Sequence, residues 1–227
     1  MKKNFSTLNR IDPPPSMQGI AFQAIKKAIL RKEFLPGNIY SEQAVAKAMG
    51  MSKTPVHQAL LDLENKGFLT ILPRKGFRVN ILSAKNIRDM FELRRALERI
   101  VVLRVTPKLT AEIIKDLQVI IDNIQQMRDP VDFQKHDRAF HRYLASLSDN
   151  TFIIAALNTV WDLSDWVGAR ILSNWAGYKQ VADEHLIIYE FLALGEAEKA
   201  AAAMERHLNG TEARFLEGLT DSAQHLA

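Results

Sequence analysis

The chain has 227 residues, 47% of them hydrophobic, enough to bury a sizeable core in one large domain or two modest ones. It has no cysteine, which excludes disulfides, thiolate ligands and thiol nucleophiles and leaves any metal to nitrogen and oxygen donors. The net charge of +4 is unevenly spread: residues 1–80 hold 13 Lys+Arg against 5 Asp+Glu (+8), whereas residues 81–227 hold 17 against 21 (−4), which fits a basic module for a polyanion joined to a different second module but, on charge alone, fits an ordinary uneven surface better.

The start, "MKKNFSTLNRIDPPPS", has two lysines but no apolar run behind them, and nowhere is an apolar segment long enough to span a bilayer. A cytoplasmic protein with no membrane partner is expected. Residues 1–15 are expected to form a flexible arm, because consecutive prolines block helix and ladder alike. Ser16 then caps a helix in which Ile20, Ala24, Ile25, Ala28 and Ile29 recur at helical spacing. "LPG" (35–37) reads as a turn. Ser41 caps a short helix with Ala44, Val45 and Ala48 facing inward, and Gly50 stops it. Ser52 caps the next helix, where Pro55 is tolerated in the first turn and Val56, Ala59, Leu60 and Leu63 form the buried stripe. Gly67 ends that helix, and "FLTIL" and "FRV" then read as two strands around the basic tip "PRKG".

After Asn80 the texture changes. Ser83 is an N-cap, and helices are expected near 84–105, 110–127, 132–147, 150–172, 179–194 and 196–218, with a break around Gly177 and no strand alternation. The fold class is therefore mainly α: a winged helix-turn-helix over 16–80, then an all-helical bundle over 81–227.

Three helices and a basic-tipped hairpin suit DNA. A recognition helix sets its N-terminal residues against base edges in the major groove. That end carries Ser52, Lys53, Thr54, His57 and Gln58, opposite the apolar stripe. Lys53 can reach guanine or a phosphate, and Gln58 can pair with adenine. Gln43 on the preceding helix joins them, and Arg74, Lys75 and Arg78 of the wing offer charge to the backbone. The plainer reading is a small helical protein with a basic surface, but it does not require this order of caps, turn and hairpin.

The stretch "SEQAVAKAMGMSKTPVHQALLDLENKGFLTILPRKGFRV" resembles the DNA-binding domain of the GntR family of bacterial transcription regulators. The family core reads roughly Ser-Arg-Thr-Pro-Val-Arg-Glu-Ala-Leu. Here Ser52-Lys53-Thr54-Pro55-Val56-His57-Gln58-Ala59-Leu60 departs from it at two positions where arginine is usual, Lys53 and His57. The helical half resembles the FCD ligand-binding domain of the FadR-type branch: "MFELRRALE" (90–98) its opening helix, "DRAFH" (137–141) its Asp-x3-His, and "DEHLIIYEFLALGEAEKAAAAMERH" its closing helix pair.

The resemblance implies a metal set of Asp137, His141, His185 and His207, and Arg94 as the effector-binding arginine. Spacing agrees for the first pair, since residues at i and i+4 share a helix face. Three imidazoles and a carboxylate suit a divalent transition metal: Zn, Ni, Fe or Mn. Singly, each histidine reads as an ordinary surface or hydrogen-bonded residue; as a set of four in family order they point to a metal. His136 and His225 lack that support and read as exposed. Arg94 or Arg95 in an exposed i,i+4 pair with Glu98 is the plainer reading of those arginines, and Trp161, Trp166 and Trp175 read as core or cavity wall. The expected protein is a metabolite-responsive regulator, not an enzyme, which binds a palindromic double-stranded operator as a homodimer and senses a small organic acid. The alternative is a metal-dependent enzyme acting on a small acid, with a nucleic-acid-binding appendage.

Overall fold

A computed structural model describes residues 16–127, 129–171 and 175–224. The arm at 1–15, the side chain of Trp175 and His225 lie outside what it describes. The chain forms two compact units, Met1–Ile81 and Leu82–Ala227.

In the first unit, α1 (Met17–Leu30), α2 (Glu42–Ala48) and α3 (Lys53–Asn65) accompany a three-stranded antiparallel sheet. Ser16 and Ser41 cap α1 and α2 through their side chains. Ser52 occupies the N-cap position of α3 but its side chain makes no capping bond. The core is Ala21, Ile25 and Ile29 of α1 against Val56, Ala59, Leu60 and Leu63 of α3, closed by Phe68, Leu69, Phe77 and Val79. Two expected faces turn out differently. Ile20 and Ala24 are exposed, because the buried stripe of α1 runs one residue further round. In α2 only Ala46 is buried, while Ala44 and Ala48 are exposed.

The wing consists of β2 (Leu69–Leu72) and β3 (Gly76–Val79), as expected, but β1 (Ile39–Tyr40) adds a third strand on the far side of β3. Gly76 fixes that junction. Its φ is +111°, and a Cβ would lie 2.1 Å from the carbonyl oxygen of Tyr40, so no larger residue fits without moving the backbone.

The second unit is helical among its described residues: α4 (Ala84–Val105), a 3-10 turn (Thr106–Lys108), α5 (Ala111–Gln126), α6 (Pro130–Leu147), α7 (Thr151–Ile171), α8 (Trp175–Ala193) and α9 (Ala197–Gln224). Ser83 and Asn86 form a reciprocal capping box at the head of α4. Helix α8 starts four residues earlier than expected and runs through Gly177, and α9 reaches Gln224. Both α4 and α8 pack along α9, whose alanines at 200, 201 and 203 are buried and allow close approach. One apolar core, from Ile87 and Phe91 through Phe140, Leu157 and Ile188 to Leu208 and Phe215, holds α4, α6, α7, α8 and α9 around a small polar centre.

Candidate functional site: a metal centre and a nucleic-acid interface

The polar centre contains His141 of α6, His185 of α8 and His207 of α9, all buried, with the partly exposed Asp137 one turn before His141. One donor atom from each lies within 4.8 Å of the others. His185 Nε2 is 3.3 Å from His141 Nε2 and 3.3 Å from Asp137 Oδ1. The sequence brings these four together because i,i+4 spacing aligns Asp137 with His141, and small residues let α8 and α9 close on each other.

Each histidine is fixed from behind. His185 Nδ1 donates to the Val181 carbonyl at 2.7 Å, and His207 Nδ1 donates to Glu184 Oε2 at 2.9 Å. His141 Nδ1 pairs with the buried carboxylate of Glu98. With Nδ1 engaged in all three, the Nε2 lone pairs converge on one point. Neutral imidazoles so arranged cannot satisfy one another, because acceptors face acceptors. Burial, reinforced by the neighbouring His141, outweighs Asp137 and lowers the His185 pKa to about 4. Burial, with His185, His141, Arg94 and Arg214 adding to it, pushes His207 well below the usual range. Both are therefore neutral near pH 7, the form that ligates a metal. Donor types, convergence and outer partners all fit a divalent transition metal.

Glu98 is the acidic residue that the reading of the sequence did not assign to this centre. Burial alone would raise its pKa, but its pairing with His141 and Arg94 and its hydrogen bonds hold it well below the usual carboxylate range. Its Oε1 accepts from Arg94 Nε at 2.9 Å and from Trp161 Nε1 at 3.0 Å. The i,i+4 pair of Arg94 with Glu98 is thus formed, but it is buried, not exposed. Arg95 instead pairs with Glu212. Trp161 and Trp166 are buried, Trp161 with this polar role. His136 is only partly exposed.

A small pocket adjoins the centre, and its lining includes Asp137, His207, Arg94, Ser164, Thr211 and Arg214. Arg94 Nη1 donates to Ser164 Oγ at 3.1 Å. The pocket thus sets arginine donors beside two candidate metal ligands.

In the first unit, Lys53, Thr54 and Gln58 at the start of α3 are exposed, as are Gln43 of α2, Ser52, and Arg74, Lys75 and Arg78 of the wing. His57 is partly exposed, and its Nδ1 lies 2.8 Å from Glu42 Oε1, while Lys53 Nζ lies 3.5 Å from Glu42 Oε2. Glu42 was not anticipated. Its only mark in the sequence is its position after the Ser41 cap.

A basic winged helix-turn-helix ahead of a helical domain with a buried polar pocket defines a DNA-binding transcription regulator with an effector domain. The family described as bacterial regulatory proteins, gntR family, matches residues 19–79, and the FCD domain matches residues 89–210. The chain belongs to the FCD-bearing branch of the GntR family. It is similar to the Nta operon transcriptional regulator of Aminobacter aminovorans, 28% identical over 189 residues, 81% of this chain and 87% of that protein. It is also similar to the transcriptional repressor RspR of Escherichia coli K12, 23% identical over 205 residues, 88% of this chain and 89% of that one. The fold is shared with the solved structure of E. coli McbR/YncC, with a TM-score of 0.77 and 19% identity over 89% of this chain and 98% of that one. These families and relatives are transcription regulators, not enzymes, which sets the enzyme alternative aside. No helix among the described residues is long and apolar enough to cross a membrane.

Proposed function

We propose that this regulator binds a roughly palindromic operator as a cytoplasmic homodimer and senses a small organic acid through a metal-containing cavity. Residues 16–80 read DNA, and residues 81–227 bind the effector and dimerise. The observation that carries the sensing half is the convergence of Asp137, His141, His185 and His207 within 4.8 Å at the wall of a pocket that Arg94 also lines. These four residues would hold Zn, Ni, Fe or Mn, and the ion would offer a Lewis-acid position for a ligand carboxylate. Arg94 binds that carboxylate by charge-assisted hydrogen bonds.

In the DNA-reading half, Lys53, Thr54, His57 and Gln58 face base edges. Gln43, Ser52, Arg74 and Lys75 hold the phosphate backbone. Two copies present two recognition helices to successive major grooves, which is why the operator is symmetric. The effector shifts DNA affinity by binding one state of the protein better than another. The test is a binding titration on duplexes from around the protein's own gene, set against random duplex, over a range of salt. A salt-dependent preference for a near-palindromic site is expected. Equal binding to all duplexes at every salt concentration would contradict the proposal.

A further inference from the structure

Two of the three histidines are held from behind in the same way, and both holds end at the pocket. Glu184 Oε2 accepts from His207 Nδ1 at 2.9 Å and from Arg214 Nη2 at 3.0 Å, while Arg214 Nη1 reaches Oε1 at 3.1 Å. Glu98 does the same between His141 and Arg94. Both arginines line the pocket beside Asp137 and His207. Neither guanidinium is used up. The bonds of Arg94 run from Nε and Nη1, and Arg214 Nε is buried without a hydrogen-bond partner. A buried donor left unpaired is unusual in a folded protein and calls for an acceptor.

Arg214 Nη2 also donates to Thr211 Oγ1 at 3.0 Å, and Thr211 lines the same pocket. Gly210 makes room for this fork: a Cβ there would lie 3.3 Å from Arg214 Nη1 and 3.4 Å from Glu184 Oε1. Asp165, another carboxylate in the lining, is already paired with Arg138 and leaves the two arginines to a ligand.

We infer that the pocket is a two-ended anion site, in which Arg94 and Arg214 each take one end of a short diacid and each passes that binding to the metal centre through its own glutamate and histidine. The inference rests on the metal and effector reading given above and assigns Arg214, Glu184 and Glu98 within it. Each glutamate divides its carboxylate between a guanidinium and an imidazole Nδ1–H. An anion on the arginine draws away part of that guanidinium's charge and donors, and the carboxylate turns more fully to the imidazole. A stronger acceptor behind a ligating histidine makes its Nε2 a better donor to a metal. Linkage then requires the metal to tighten the anion by the same factor that the anion tightens the metal.

The test uses the full chain, Zn²⁺ and succinate, with propionate as the one-ended control. Chelator competition gives the Zn²⁺ affinity with and without each acid, and calorimetry gives the succinate affinity with and without Zn²⁺. Wild type is expected to bind Zn²⁺ about tenfold more tightly with succinate, with the reciprocal gain for succinate and a smaller effect from propionate. Arg214→Gln takes the guanidinium charge off Glu184 and should itself tighten Zn²⁺, whereas the charge-keeping Arg214→Lys should bind Zn²⁺ much as the wild type does; both should lose most of the coupling. Glu184→Gln should also weaken Zn²⁺ itself by about 10–100-fold. Melting curves identify any variant that has lost its fold. Zn²⁺ binding that succinate leaves unchanged, or full coupling in both Arg214 variants, overturns the inference while the metal centre stands. A wild type that takes up no Zn²⁺ removes the metal centre and the inference with it.

Discussion

His185 loses stability by being charged where it sits. Its pKa falls from 6.5 to about 4, chiefly through burial, so the folded protein resists a proton that the unfolded chain accepts. The stabilisation is fully present above pH 6.5 and is lost as the pH falls toward 4, on the order of 3 kcal/mol in all. Metal-free protein should therefore melt at progressively lower temperature between pH 7 and pH 5, and His185→Asn should flatten that slope. A wild-type melting temperature that stays constant over the range would contradict the assignment. Asp137 and His141 were legible as an i,i+4 pair, whereas His185 and His207 joined them only through the resemblance to the FCD domain. Their outer partners were not legible. Glu98 is one of 26 acidic residues, and its i,i+4 relation to Arg94 was legible while its burial was not. Glu184 adjoins His185 in the chain yet bonds to His207 on another helix, a partnership that only the packing of α8 on α9 creates.

The recognition helix and the wing make different demands on DNA. Lys53→Ala or Gln58→Ala should cost about 1–3 kcal/mol on the preferred duplex and relax specificity at one base pair. Arg74→Ala and Lys75→Ala should weaken all duplexes alike, each lowering the salt slope by about one, as loss of a phosphate contact does. Titrations at several salt concentrations separate the two patterns. Gly76→Ala should destabilise the first unit by several kcal/mol in denaturant melts, because its Cβ would collide with the Tyr40 carbonyl and its φ is +111°. The buried stripe of α3 and the two wing strands were legible from periodicity and turn residues. Strand β1 was not, because two residues carry no alternation. The face of α2 was misread for a related reason: in seven residues dominated by alanine, hydrophobicity does not single out one side.

For the molecule as a whole, the charge division between residues 1–80 and 81–227 fits an uneven surface as well as two modules, and it was the order of caps, turn and basic hairpin that singled out the DNA-reading part; the helical texture after Asn80 gave the second part its class. Light scattering of the purified chain should give twice its 25.7 kDa, and a monomer at all concentrations would contradict the dimer. The central claim is that the helical unit holds a metal ion by which it senses a ligand, and metal uptake tests it most directly. Protein stripped by chelator and then titrated with Zn²⁺ or Ni²⁺ should take up one ion per chain, and His141→Ala should abolish tight uptake without unfolding the chain. Failure of the stripped wild-type protein to take up either ion would contradict the account.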